Sequence, residues 1–238
     1  MLAAVGSVRT YEEIWSEALR LASMLIEEAR GQKLIGFLAD RDQSAYLAIL
    51  SILAAGKGYV PLSPSLPDAR LVRIVREAQL KTVIVGSGQA ARAASLAGSL
   101  EGTRLFIDLD GDGELPAGDG RSIIGPRDIA SATPRSARPD TDGAAAYLLF
   151  TSGSTGEPKG VAVTNANLCA YLDFACRFYR YGPDDCHTQT FELTFDLSVH
   201  DMMCAWTTGG KLAPIVRGDL LSPARIVRRE QVTCWFSV

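Results

Sequence analysis

The chain has 238 residues, of which 47% are hydrophobic and 21% charged, with a formal net charge of −3. That is the profile of a globular domain, and it excludes a strongly basic nucleic-acid binder. Its apolar stretches, such as residues 45–55, are helix-patterned and fall short of the roughly 20 residues of a membrane span, and the N-terminus has no signal-type apolar core, so a cytoplasmic location is expected.

In chain order, Glu12 to Ala29 carries Ile14, Ala18, Leu21 and Leu25 at helical spacing, and residues 34–38 then read as a buried strand. A helix over residues 43–55, a strand at 59–62, a helix at 68–79 entered through Pro67, and a strand at 82–85 follow. Residues 105–109 form the next strand. The Gly-, Pro-, Asp- and Ser-rich stretch 110–143 reads as an exposed connector between sublobes at 1–109 and 144–238. The second sublobe has strands at 145–150 and 160–164, a helix capped by Asn165, a helix at 196–206, a strand at 211–216, a helix at 222–230 and a strand at 232–238. Strands alternating with helices in units this short predict an α/β fold of parallel-rich sheets flanked by helices.

The five cysteines are odd in number and show no C-x-x-C spacing, so neither a disulfide framework nor a metal ligand set is assigned, and reduced, mostly buried thiols are expected. His187 has no partner signature and reads as structural.

The most informative segment is T-S-G-S-T-G-E-P-K-G over residues 151–160, which follows an apolar strand. Gly153 and Gly156 permit close backbone approach, Thr151, Ser152, Ser154 and Thr155 offer hydroxyls, and Lys159 adds a mobile positive charge, which together suit a phosphate-binding loop. A Walker loop is excluded, because Glu157 and Pro158 separate the second glycine from the lysine. The bland alternative is a Gly/Ser turn between two strands.

This segment resembles the signature loop of the adenylate-forming enzymes, which include acyl- and aryl-CoA ligases, luciferases and the adenylation domains of nonribosomal peptide synthetases. Three further segments resemble the same family in the same order: R-T-Y-E-E-I at 9–14, L-A-A-G-K-G-Y-V-P-L-S-P at 53–64, and F-D-L-S-V-H-D at 195–201. The resemblance implies the N-terminal part of the family's large domain, with the later adenine-binding and ribose-binding segments, the interdomain hinge and the C-terminal lid domain with its lysine expected to be absent. It implies ATP-dependent activation of an amino-acid carboxylate as an adenylate, then transfer to the phosphopantetheine thiol of a carrier protein. Residues 1–238 alone are expected to be inactive, with any Mg2+ ligands outside them.

By the same resemblance Thr151, Ser152, Gly153, Ser154, Thr155, Gly156 and Lys159 contact the ATP phosphates, with Lys159 as the catalytic cation. Asp196 would bind the substrate ammonium, and Leu197 and His200 would line the pocket. Asp196 also reads as a helix cap, and His200 as a packed residue. Alternatives remain: an acyl or aryl acid ligase of the same superfamily, a non-catalytic interaction module, and a Rossmann oxidoreductase. The last rests on G-S-G-Q-A-A at 86–91, followed about twenty residues later by Asp108 and Asp110.

Overall fold

The structure, a computed structural model, describes residues 2–4, 7–111, 115, 120–138, 143–152, 158–215 and 222–237. It divides into two compact units, Trp15–Asn165 and a discontinuous one built from Met1–Ile14 and Ala166–Val238.

The first unit is a seven-stranded sheet. Its strands are β3 (Leu34–Leu38), β4 (Gly58–Leu62), β5 (Thr82–Val85), β6 (Leu105–Asp108), β7 (Ser122–Ile124), β8 (Ala145–Ser152) and β9 (Pro158–Thr164), in the order β7-β6-β5-β3-β4-β8-β9. All neighbours are parallel except β8 and β9, which form an antiparallel hairpin at the edge. Strands β4, β5 and β6 are buried along their whole length, as continuous apolar runs in a parallel sheet should be. Helices α1 (Tyr11–Glu28), α2 (Gln43–Ala54), α3 (Asp68–Glu77) and α4 (Ala90–Ala97) alternate with them. Leu71, Ile74 and Val75 of α3 pack with Val60, Leu62 and Val83 of the sheet in one core.

Local chemistry explains the helix ends. Glu13 accepts from the Thr10 backbone N–H at 2.7 Å and hydroxyl at 2.9 Å, while the Glu13 N–H donates to the Thr10 hydroxyl, a reciprocal cap that opens α1. Asp42 accepts from the Ala45 N–H at 3.1 Å and opens α2. Gly56, at φ +71°, follows the end of α2, and a Cβ there would lie 2.8 Å from the Arg138 carbonyl oxygen.

The second unit carries a four-stranded sheet in the order β10-β11-β1-β2, from β1 (Leu2–Ala4), β2 (Ser7–Arg9), β10 (Cys186–Gln189) and β11 (Lys211–Pro214). Helices α6 (Asn165–Tyr179), α7 (Leu197–Thr208) and α8 (Pro223–Glu230) accompany it. Cys186, Ala213, Ile215 and Ile226 form its small buried cluster, flanked by Val232 and Trp235.

The structure departs from the sequence reading in several places. The chain divides at the start of α6 instead of at residues 110–143, because β8 and β9 extend the first sheet. The expected connector contains β7 and a short helix, α5 (Pro126–Ser131). Residues 232–237 make one isolated bridge, Cys234 with His187, where a full strand was expected. Asn165 is the first residue of α6, and its side-chain amide donates to the Ala144 carbonyl at 3.0 Å. Of the free cysteines only Cys186 and Cys204 are buried; Cys169 is exposed.

Candidate functional site

The β8–β9 hairpin sets the register of the phosphate-loop candidates. Thr151 pairs with Lys159 and Ser152 with Pro158, so the first and last members of the candidate set meet at the mouth of the hairpin. Paired residues project from the same face, and the Thr151 hydroxyl donates to the Lys159 carbonyl at 3.4 Å. Thr151 and Lys159 are both exposed, which keeps the hydroxyl and the ammonium accessible to a ligand. Ser152 ends β8; Gly153, Ser154, Thr155 and Gly156 lie outside the described residues. Pro158 at the first position of β9 suits an edge strand that needs no ladder donor there.

The second set sits on α7. Asp196 immediately precedes the helix with helical backbone angles, φ −62° and ψ −27°, and its side chain makes no capping hydrogen bond. The capping reading therefore fails, and the carboxylate is exposed at the head of the helix. Leu197 is half-buried, and the next residues, Ser198 to Ala205, are all buried. Asp196 and His200 are one turn apart and so share a face.

His200 is enclosed by aromatic side chains. Its Nδ1 lies 2.8 Å from the Tyr171 hydroxyl, its Nε2 lies 3.2 Å from the Tyr181 hydroxyl, and the Phe236 ring centroid is 4.5 Å from its own. Burial pushes its pKa below the usual value, which favours the neutral ring; one nitrogen then donates and the other accepts. His200 is thus a packed residue with both nitrogens engaged.

Sequence reasoning missed Tyr171, Tyr181 and Phe236, which reach His200 from α6, the loop after it and the last described segment. No local pattern joins them. It also passed over Asp201, 1% exposed, whose carboxyl is pushed up to about 8 by burial despite a hydrogen bond from the Thr190 backbone. A charge amid the apolar residues of α7 was the available signal.

The G-S-G rival fails on packing. A Cβ at Gly86 would lie 2.5 Å from the Ser44 hydroxyl and 2.6 Å from Ala39 Cβ, so this glycine serves the contact between neighbouring loops. The Ser87 hydroxyl and Gly88 N–H both donate to Asp110, at 2.8 and 2.9 Å. The turn that would cradle a pyrophosphate is occupied by the chain's own carboxylate.

Comparison with known proteins shows the family. The family model described as AMP-binding enzyme matches residues 2–238. An L-proline–[L-prolyl-carrier protein] ligase of Pseudomonas fluorescens is 31% identical over 96% of this chain and 45% of its own length. Syringomycin synthase SyrB1 of Pseudomonas syringae is 30% identical over 91% of this chain and 32% of its own length. Among solved structures, the Vibrio cholerae adenylation domain AlmE in complex with glycyl-adenosine-5'-phosphate superposes with a TM-score of 0.85 at 26% identity, over 100% of this chain and 46% of that one. IdnL7 gives 0.86 at 32% identity, again over 100% and 46%. The chain thus spans less than half the length of these relatives. No described helix is long and apolar enough to cross a membrane. With a family model matched over residues 2–238 and a parallel-rich α/β fold, the chain belongs to the AMP-binding enzyme family of adenylate-forming ligases.

Proposed function

We propose that this chain belongs to an enzyme that activates an amino-acid carboxylate as its aminoacyl adenylate at the expense of ATP. The observation that carries the reading is Asp196, an exposed carboxylate without a capping bond at the head of the buried helix α7. A substrate ammonium would satisfy it. The similarity to AlmE, whose complex holds a glycyl adenylate, and to a prolyl-carrier protein ligase supports the amino-acid class.

In the reaction a substrate carboxylate oxygen bonds to the α-phosphorus of ATP while the bond to pyrophosphate breaks. Negative charge gathers on the departing pyrophosphate, so preorganised donors stabilise the transition state. Lys159 and Thr151, on the accessible mouth of the hairpin, would supply two of them, with Ser152, Gly153, Ser154, Thr155 and Gly156 completing the cradle. Leu197 and His200 would shape the side-chain pocket beside Asp196. The acceptor is the phosphopantetheine thiol of a carrier protein, and Mg2+ accompanies ATP without an assigned ligand on this chain.

The test is ATP–pyrophosphate exchange by the enzyme carrying this chain, across amino acids and their des-amino analogues. Exchange driven by one or a few amino acids at rates well above their des-amino counterparts supports the proposal. Equal exchange with both overturns amine recognition and leaves an acyl or aryl acid ligase.

A further inference from the structure

We propose that Asp185, His187 and Cys234 form a binding site for a divalent transition-metal ion of the zinc class. The site lies within the second unit and does not depend on the function proposed above. Its geometry starts from the backbone. His187 lies in β10, Asp185 stands two residues before it and so on the same face, and the Asp185 carbonyl already accepts from the Lys211 N–H. Cys234 is paired with His187 in a parallel bridge, held by Cys234 N–H to the Cys186 carbonyl and Thr188 N–H to the Cys234 carbonyl, both at 3.0 Å. Three ligand-bearing side chains are thus placed together by main-chain hydrogen bonds.

A ring nitrogen of His187, the Cys234 sulfur and an Asp185 oxygen all lie within 4.8 Å of one another. Zinc bonds of 2.0 to 2.3 Å in a tetrahedron set the donors roughly 3.3–3.7 Å apart, so closure needs movements of about 1 Å. Cys234 and Asp185 are only half-buried and have that freedom. His187 is 1% exposed and its buried Nε2 has no hydrogen-bond partner among the described residues, so no neighbour at that atom fixes the tautomer and the other ring orientation or proton position is open to a ligand. Asp185 is oriented from outside the cluster by the Thr233 hydroxyl at 2.7 Å and the Gly182 N–H at 2.8 Å, the supporting shell a ligating carboxylate requires.

Nitrogen, thiolate and carboxylate donors suit zinc or cobalt over magnesium or calcium. Thiolate and carboxylate together neutralise a dication, and the Cys234 proton leaves to solvent on binding. In the absence of a metal, burial pushes the pKa of the Cys234 thiol up. Asp185 and Cys234 line the same cleft as Tyr179, Tyr181, Trp235 and Phe236, from which a water could supply a fourth donor. The ion would tie the segment bearing Phe236, the ring against His200, to β10.

The experiment titrates the purified chain with Co2+, reading the thiolate-to-metal charge-transfer absorption, and then displaces it with Zn2+. In parallel, wild-type cysteines are alkylated with iodoacetamide with and without Zn2+ and quantified singly by mass spectrometry. We expect one equivalent bound, alkylation of Cys234 slowed about tenfold or more, exposed Cys169 unaffected, and the absorption lost in both Cys234→Ser and His187→Gln. Asp185→Asn should weaken binding by roughly tenfold or more. Absence of the absorption, its persistence in both variants, or Zn2+ protection at Cys169 or Cys176 in place of Cys234 overturns the site. The alkylation readout uses only the wild-type chain, so a variant that misfolds cannot decide the outcome.

Discussion

Asp196 and Asp201 lie within two turns of one another and illustrate how position decides the use of a carboxylate. Asp196 is exposed and available to an incoming cation; Asp201 is buried and protonated at neutral pH, its pKa raised from 3.8 to about 8. A raised folded-state value means that ionisation favours the unfolded chain. This stability contribution is fully present below about pH 4 and is lost as pH climbs towards 8. Asp201→Asn, which stays neutral, should flatten that decline and raise stability at pH 8 by on the order of 1–3 kcal/mol, measured by urea unfolding at pH 5 and pH 8. A variant that keeps the wild-type pH slope would show that Asp201 ionises freely. For function, Lys159→Ala should lower exchange by about 10² to 10³-fold with an unchanged melting temperature, since the side chain is exposed and supports no core. Asp196→Ala should penalise amino acids and spare des-amino analogues. At this scale the sequence exposed the residues with a charge or hydroxyl in a signature, but not the aromatic partners of His200, which become neighbours only through the fold.

The longer helices and the inner strands β3, β4 and β5 were legible because their apolar periodicity is enforced by burial. The segment T-Y-E-E at 10–13 is a capping box that starts α1, and the glycine at 56 is the residue that lets the chain leave α2 against the Arg138 carbonyl. What escaped were short elements, the three-residue strands β1, β2 and β7, the four-residue edge strand β10 and the eight-residue helix α4, because so few positions carry no clear period and the strands' partners lie far along the chain. Two substitutions test this level. Asp42→Ala removes the side-chain acceptor at the head of α2 and should cost about 1 kcal/mol of stability, seen as a lower urea midpoint at constant slope. Gly86→Ala forces a methyl to within 2.6 Å of Ala39 Cβ and should cost about 1–3 kcal/mol through overpacking. Tolerance of that methyl would reopen the glycine turn as a ligand site.

The chain's extremes are joined in a single sheet: β1 runs parallel to β11 and antiparallel to β2, so the N-terminal residues complete a unit whose other members begin at residue 166. The Tyr11 hydroxyl adds to this closure by donating to the carbonyls of Gly210 and Ala205, and burial pushes its pKa up to about 12. Such long-range pairing is costly in loop entropy, which is why local sequence patterns gave no sign of it. It also predicts where disruption will be felt. Deleting residues 2–9 leaves one side of β11 without its ladder, and Tyr11→Phe leaves two carbonyls without their donor, at about 1 kcal/mol. Hydrogen exchange followed by mass spectrometry should then show faster exchange in β10, β11 and α7, with β3, β4, β5 and β6 retaining their protection behind a separate core. Equal loss of protection in both sheets would instead mean that the two cores open as one cooperative unit.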